Sequence, residues 1–378
     1  MSGMSRFSLG LAATLVAAAP AFADGRQGFL ETIRHHSILT STVPDNGDLN
    51  PYAIVVAPAS AGMIRKNDIL IDNFNNQSNL QGTGTTVVVY SPTTKKTTLF
   101  AKLPQKLDGC PGGVGLTTAM TMLKAGWVIV GSTPSTDGTT KTRGAGCLIV
   151  LDGNGKVAGT ITGPNINGPW GNIATIDDGA KATLFITMAG TVPGPDVTEK
   201  DSEDPVVIRK AIVLRLELAT APGKAPVVTG QTVIASGLGA RADKDAFMVG
   251  PTGTVLSRDG KTLYVSDSVD NRIVAIADPA TRSDSAGTGR VVTRDGLMKR
   301  PLAMAMTPNG HLLVCNALNG QVVEIDPASG RQIHAQWIDT DQAQSPPGNG
   351  DLFGIVMTPD GKGFYYVQDD VNTVMEAR

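Results

Sequence analysis

The side chains best suited to chemistry in this 378-residue chain are four histidines, three cysteines and a scatter of aspartates and asparagines. No CxxC pair, Gly-x-Ser-x-Gly elbow or Ser/His/Asp arrangement is present. Gly112-Gly113-Val114-Gly115 opens an apolar run of strand type, so it lacks the helix N-terminus that a phosphate loop needs. His35 and His36 read as an outer strand, His311 as a turn and His334 as another outer strand; none is placed as a metal ligand or general base. Asn73, Asp267, Asn316 and Asp369 each close a second apolar run, and that recurrence reads as Asx turns that maintain a fold. The aromatic residues Tyr52, Phe74, Trp170 and Phe353 stand out instead, because three of them open apolar runs and the fourth adjoins an amide-rich stretch, Asn73-Phe74-Asn75-Asn76-Gln77-Ser78-Asn79.

The elements that must position these residues repeat. A small or apolar doublet, an apolar run, a turn and a second run ending in Asp or Asn return six times, most cleanly in 301–316 and 352–369. The doublets are Pro51-Tyr52, Gly113-Val114, Pro169-Trp170, Pro251-Thr252, Pro301-Leu302 and Leu352-Phe353. The first five copies hold a third and fourth strand and the sixth a third, and such a unit cannot bury both its faces alone. The expected fold is all-β: one six-bladed β-propeller of four-stranded blades over residues 24–378. The sixth copy supplies only three strands, and Arg34–Ser41 stands unused before the first, so this N-terminal strand is expected to complete the last blade and close the ring. A long third step between doublets is assigned to an exposed insertion, Ala189 to Lys210.

Residues 1–23 read as a signal peptide, with Arg6, an apolar stretch and Ala21-Phe22-Ala23 as the cleavage site. Export to a periplasm or out of the cell is therefore expected. An exported chain with three cysteines suggests one disulfide. Cys110 precedes the first strand of the second blade and Cys147 opens its third; both fall at one end of the blade, so Cys110–Cys147 is the expected bond. Cys315, inside a strand, reads as a buried apolar residue. The near-neutral balance of 32 basic and 34 acidic side chains gives no footprint for nucleic acid, and no later stretch is long and apolar enough for a membrane span.

The Asp267-Ser268-Val269-Asp270-Asn271-Arg272-Ile273 segment after Leu263-Tyr264-Val265, with the Pro-x-Gly/Ala openings, resembles NHL repeats and the six-bladed propellers of the SMP-30/gluconolactonase type. Asn50-Pro51-Tyr52, the Cys110–Thr118 stretch and Asn167-Gly168-Pro169-Trp170 resemble exported bacterial NHL proteins. The resemblance implies ligand binding at the channel mouth, where lactonase-type relatives hold a divalent ion with carboxylates and amides at the inner-strand starts. Here those positions are Tyr52, Val114, Trp170, Thr252, Leu302 and Phe353, none of them a ligand for a hard cation, and no metal site is assigned. Asp48, Asn50, Asn167, Asp245 and Asp351 lie nearby, which leaves Ca²⁺ as the one cofactor to consider.

Long links follow the second strands of blades 1 to 3 (73–84, 132–146 and 188–210). They are expected to wall a recess in which Tyr52, Asn73, Phe74, Asn76, Asn167, Trp170 and Phe353 bind a small polar or planar ligand, or a protein partner. The alternative is a metal-dependent lactonase or lyase.

Overall fold

The computed structural model describes residues 28–190, 206–243 and 246–378; the leader 1–23, Asp245 and most of the insertion lie outside them. Six antiparallel sheets stand in a ring. Blade 1 is Leu49–Val56, Ile69–Asn75, Thr86–Ser91 and Lys96–Lys102. Blade 2 is Leu116–Met122, Val128–Ser132, Cys147–Leu151 and Val157–Ile161. Blade 3 is Ala174–Asp177, Lys181–Met188, Ile208–Ala221 and Lys224–Asp243, with the short strand Phe247–Val249 paired to its end. Blade 4 is Pro251–Leu256, Thr262–Asp267, Arg272–Ala277 and Arg290–Arg294. Blade 5 is Pro301–Met306, Leu312–Asn316, Gln321–Asp326 and Arg331–Trp337.

Blade 6 combines Leu352–Met357, Phe364–Gln368 and Thr373–Ala377 with His36–Ser41, which runs antiparallel to the last strand from His36↔Ala377 to Ser41↔Thr373. The ring is closed as expected, because the third strand would otherwise leave a row of unpaired backbone groups. The strand is further anchored from upstream. The backbone N–H groups of Phe29 and Leu30 donate to the buried Glu324 carboxylate at 2.7 and 2.9 Å, and His311 Nδ1 lies 2.6 Å from the same group.

Apolar runs fill the spaces between neighbouring blades. One cluster joins blades 1 and 2 through Leu70, Val87, Met120 and Ile149, and comparable clusters follow around the ring. The insertion differs from expectation. Ile208–Lys210 already belong to a strand, and the hairpin turns at Pro222-Gly223, where Gly223 has a φ of 72° that favours glycine. Much of the long third step is thus elongated hairpin rather than loop.

Cys110 and Cys147 form a disulfide, and Cys315 is free and buried. No helix among the described residues is long and apolar enough to cross a membrane.

Candidate functional site at the channel mouth

The first residues of the inner strands converge on the ring axis, and there the sequence has put aromatic rings. Tyr52 stacks on Phe353 with centroids 3.8 Å apart and on Phe74 at 4.5 Å; Trp170 meets Phe74 edge-on at 5.8 Å. With Phe247 these rings form a central apolar cluster that plugs the channel. Above the plug opens a recess of about 580 Å³ whose floor includes Tyr52, Trp170, Thr252, Leu302 and Phe353. Val114, the sixth expected ring position, does not reach it. Blade 2 begins its inner strand at Leu116, and Val114 lines a second cavity of about 650 Å³ beside the 105–114 loop.

The polar wall of the recess comes from two positions that repeat weakly. One is the residue just before the doublet that opens the inner strand: Asn50, Arg300 and Asp351 stand there and line the recess. Asn50 and Arg300 hold positive φ angles of 58° and 60°, set by backbone N–H bonds to the Asn372 and Asn271 side chains. The other is the residue just after the second strand in blade 6. Pairings Pro51↔Asn73, Pro251↔Asp267, Pro301↔Asn316 and Leu352↔Gln368 show that Gln368, not Asp369, shares the register of the other three. The placing of Asp369 in that set is therefore corrected by one residue. Side chains alternate along a strand, so the shift turns Asp369 into the recess, where blade 5 has Ala317.

Asp351, Asp369 and Asp370 thus gather on one wall. Burial, then the neighbouring carboxylates, drives Asp369 well above the usual carboxylate range and lifts Asp351 to about 7. Asn50 Nδ2 donates to Asp369 Oδ2 at 3.3 Å. Asp351 and Asp369 share a side-chain hydrogen bond, whereas Asn75 Oδ1 is buried without a partner in a residue that lines the recess. A buried acceptor left unpaired is costly, so this atom marks where a donor is wanted. Arg300 pairs with Asp243 at 3.1 Å.

The structure therefore brings Tyr52, Trp170 and Phe353 together at the recess, with Phe74 directly beneath, and holds the other three expected site residues away from it. Asn73 donates to Thr42 O at 3.1 Å and Thr86 Oγ1 at 3.2 Å, which ties the closing strand's exit to blade 1. Asn76 Oδ1 accepts the Ser78 and Leu80 N–H groups and so shapes its own loop. Asn167 Oδ1 accepts from the buried Arg143 at 3.1 Å. Among the described residues of the three long links, 73–84 reaches the recess through Asn75, Asn79 and Gln81 and 132–146 borders the second cavity, while most of 188–210 lies outside the described residues. The acidic wall belongs to blade 6 and was missed, because it depends on a one-residue register difference. Asp48, another nearby acid, accepts from Thr85 and Thr86 and is a fold-maintaining turn. At the axis itself Tyr52, Trp170, Thr252, Leu302 and Phe353 offer no carboxylate or amide to a hard cation.

Blades 4 and 5 carry a match to a family model. Residues 240–346 match the SMP-30/Gluconolactonase/LRE-like region. Over 181 residues the chain is 27% identical to Protein SUPPRESSOR OF QUENCHING 1, chloroplastic, of Arabidopsis thaliana, a match covering 44% of this chain and only 16% of that protein's length. The gluconolactonase XC5397 of Xanthomonas campestris superposes with a TM-score of 0.54 at 11% identity, covering 91% of this chain and 89% of that one. The PQQ-bound aldose sugar dehydrogenase of Streptomyces coelicolor gives a TM-score of 0.51 at 13% identity, covering 91% and 98%. At such identities these superpositions establish a shared propeller fold.

Proposed function

We propose that the protein is an exported binding propeller whose channel-mouth recess holds a small polar ligand with a planar or apolar part. The observation that carries this reading is the buried, unpartnered acceptor Asn75 Oδ1, set with the Asp351 and Asp369 carboxyls in the wall of a recess floored by Tyr52, Trp170 and Phe353. A ligand that stacks on the rings and donates hydrogen bonds to the acceptors matches both features. The Cys110–Cys147 disulfide supports an oxidising compartment, consistent with a signal peptide in 1–23. A protein partner that inserts an amine- or amide-bearing side chain would use the same chemistry. The test is a thermal-shift and Trp-fluorescence screen of sugars, aldonolactones and amines. A ligand is expected to raise the midpoint of the wild-type protein and to lose this effect in Asn75→Ala; no shift with any class would remove the reading.

A second reading, a lactonase- or lyase-type enzyme, is favoured by the adjacent Asp351 and Asp369. Two buried carboxyls that share a site ionise at different pH values, which is what a general acid and base pair requires. The match over 240–346 supports it as well. Hydrolysis of aldonolactones by the wild type and not by Asp369→Asn would establish it, and equal rates in both would reject it.

A further inference from the structure

We propose that the recess at the channel mouth receives a lysine side chain of a protein partner, with apolar residues of the same segment resting on the rim formed by blades 5, 6 and 1. This deepens the proposed function and rests on the recess being a binding site. Four large apolar side chains stand in water on the rim: Val43, Leu80, Leu318 and Val371, between 37 and 54% exposed. Leu318 itself lines the recess, Leu80 lies between the lining residues Asn79 and Gln81, and Val371 lies between Asp370 and Asn372. Val43 follows Thr42, whose N–H donates to Asn372 O at 2.9 Å. Exposed apolar residues scattered singly need no explanation. Four gathered around one polar recess have the layout of a protein interface, in which apolar contacts keep water from a buried anchor. A small polar ligand inside the recess leaves all four in water, and that favours a macromolecular occupant.

The wall of the recess selects the anchor. Asn75 is 1% exposed; its Nδ2 donates to Asn79 Oδ1 at 2.7 Å, and its Oδ1 has no partner. Leu49, the strand partner of Asn75, adjoins Asn50, whose Nδ2 donates to Asp369 Oδ2 at 3.3 Å. The blade 1 acceptor and the blade 6 carboxyls therefore share one wall. Burial, then the neighbouring carboxylates, holds Asp351 and Asp369 above the usual range, and a cation relieves that crowding. Arg300, which also lines the recess, pairs with Asp243 at 3.1 Å. A lysine ammonium brings three N–H donors to these acceptors, while its methylene stem lies along Tyr52, Trp170 and Phe353. Arginine suits the wall less, because its planar fork wants both oxygens of one ionised carboxylate and Asp351 and Asp369 are already bonded to each other.

The test presents the full chain with libraries of blocked heptapeptides whose central residue is lysine, Nε-acetyl-lysine or glutamate, and reads binding by fluorescence polarisation. Selective binding of the lysine library is expected, with apolar residues preferred on either side of the centre. The selected peptides should bind Leu318→Ser/Val371→Ser about tenfold or more weakly, and Asn75→Ala likewise. The rim variant changes two exposed positions, so its melting midpoint should match the wild type. N-acetyl-lysine methylamide, which carries the anchor without flanks, should bind the wild type and the rim variant equally. Equal binding of the lysine and Nε-acetyl-lysine libraries, or selected peptides that hold the rim variant as tightly as the wild type, would overturn the proposal. Failure of the underlying reading looks different. If the thermal screen finds a ligand and the lysine library stays silent, the partner falls and the recess remains a site; if neither binds, both fall.

Discussion

Asp72 shows how one side chain can set a pH dependence without touching the recess. It occupies the second-strand position at which Thr187 and Ser266 accept the Gly171 and Gly253 N–H groups of their own inner strands and donate to Thr252 O and Leu302 O of the next blade. Blade 1 places a carboxyl there instead. Its Oδ1 accepts the Ala53 N–H at 2.8 Å, Oδ2 has no partner, and burial lifts the group to about 8. A carboxyl raised in the folded state binds its proton there while the unfolded chain, with an ordinary pKa near 4, has lost it. Its contribution to stability is therefore complete below about pH 4 and is lost as pH rises through 8. Asp72→Asn keeps the acceptor and removes the charge, so it should match the wild type at pH 4 and exceed it by about 1–3 kcal/mol at pH 9. Urea melts at both pH values would show this; an equal or lower stability at pH 9 would mean that the fold does not raise the Asp72 carboxyl. Trp170→Ala is expected to cost about 3 kcal/mol, because the ring is 4% exposed and packs edge-on against Phe74 while also facing the recess. A melt shows that loss, and the ligand screen repeated on the variant separates packing from stacking.

At the scale of elements, blade 2 depends on a covalent tie and blade 6 on a borrowed strand. The disulfide joins residues 37 apart in sequence, linking the loop before the inner strand of blade 2 to its third strand. Cys110→Ser/Cys147→Ser should lose about 2–4 kcal/mol, measured by denaturant midpoint. In the unreduced native protein no thiol should react, because Cys315 is fully buried and burial pushes its thiol far up. The closing strand is held upstream by Glu324, whose carboxylate takes both the Phe29 and Leu30 N–H groups. Glu324→Ala leaves those two donors and His311 without their acceptor and is expected to cost about 2–4 kcal/mol. Hydrogen exchange should then rise first in 36–41 and 373–377; unchanged protection there would show that strand pairing alone secures the ring.

For the whole molecule, the ring makes its mouth from residues far apart in sequence, and that decides what could be read beforehand. The sequence by itself determined the number of blades, their four-strand form, the closure by the N-terminal strand and the Cys110–Cys147 bond. These follow from repetition and from local hydrophobic periodicity, which every copy states again. It also determined that Tyr52, Trp170 and Phe353 meet, since inner-strand starts converge in any propeller. Only the tertiary structure decided the polar half of the recess. Asp369 differs from Asn73, Asp267 and Asn316 by one register step, which reverses the face a side chain takes in a strand. Asp351 and Asp369 meet through the strand pairing of blade 6, where the Asp369 N–H donates to Asp351 O, and no spacing along the chain announces that meeting. Asn76 and Asn167 carried the chemistry of a site in sequence, but backbone groups and Arg143 had already claimed their hydrogen bonds. Repeats are legible because each one must satisfy the same local physics. A site is an exception to the repeat, and its members are brought together by closure of the ring.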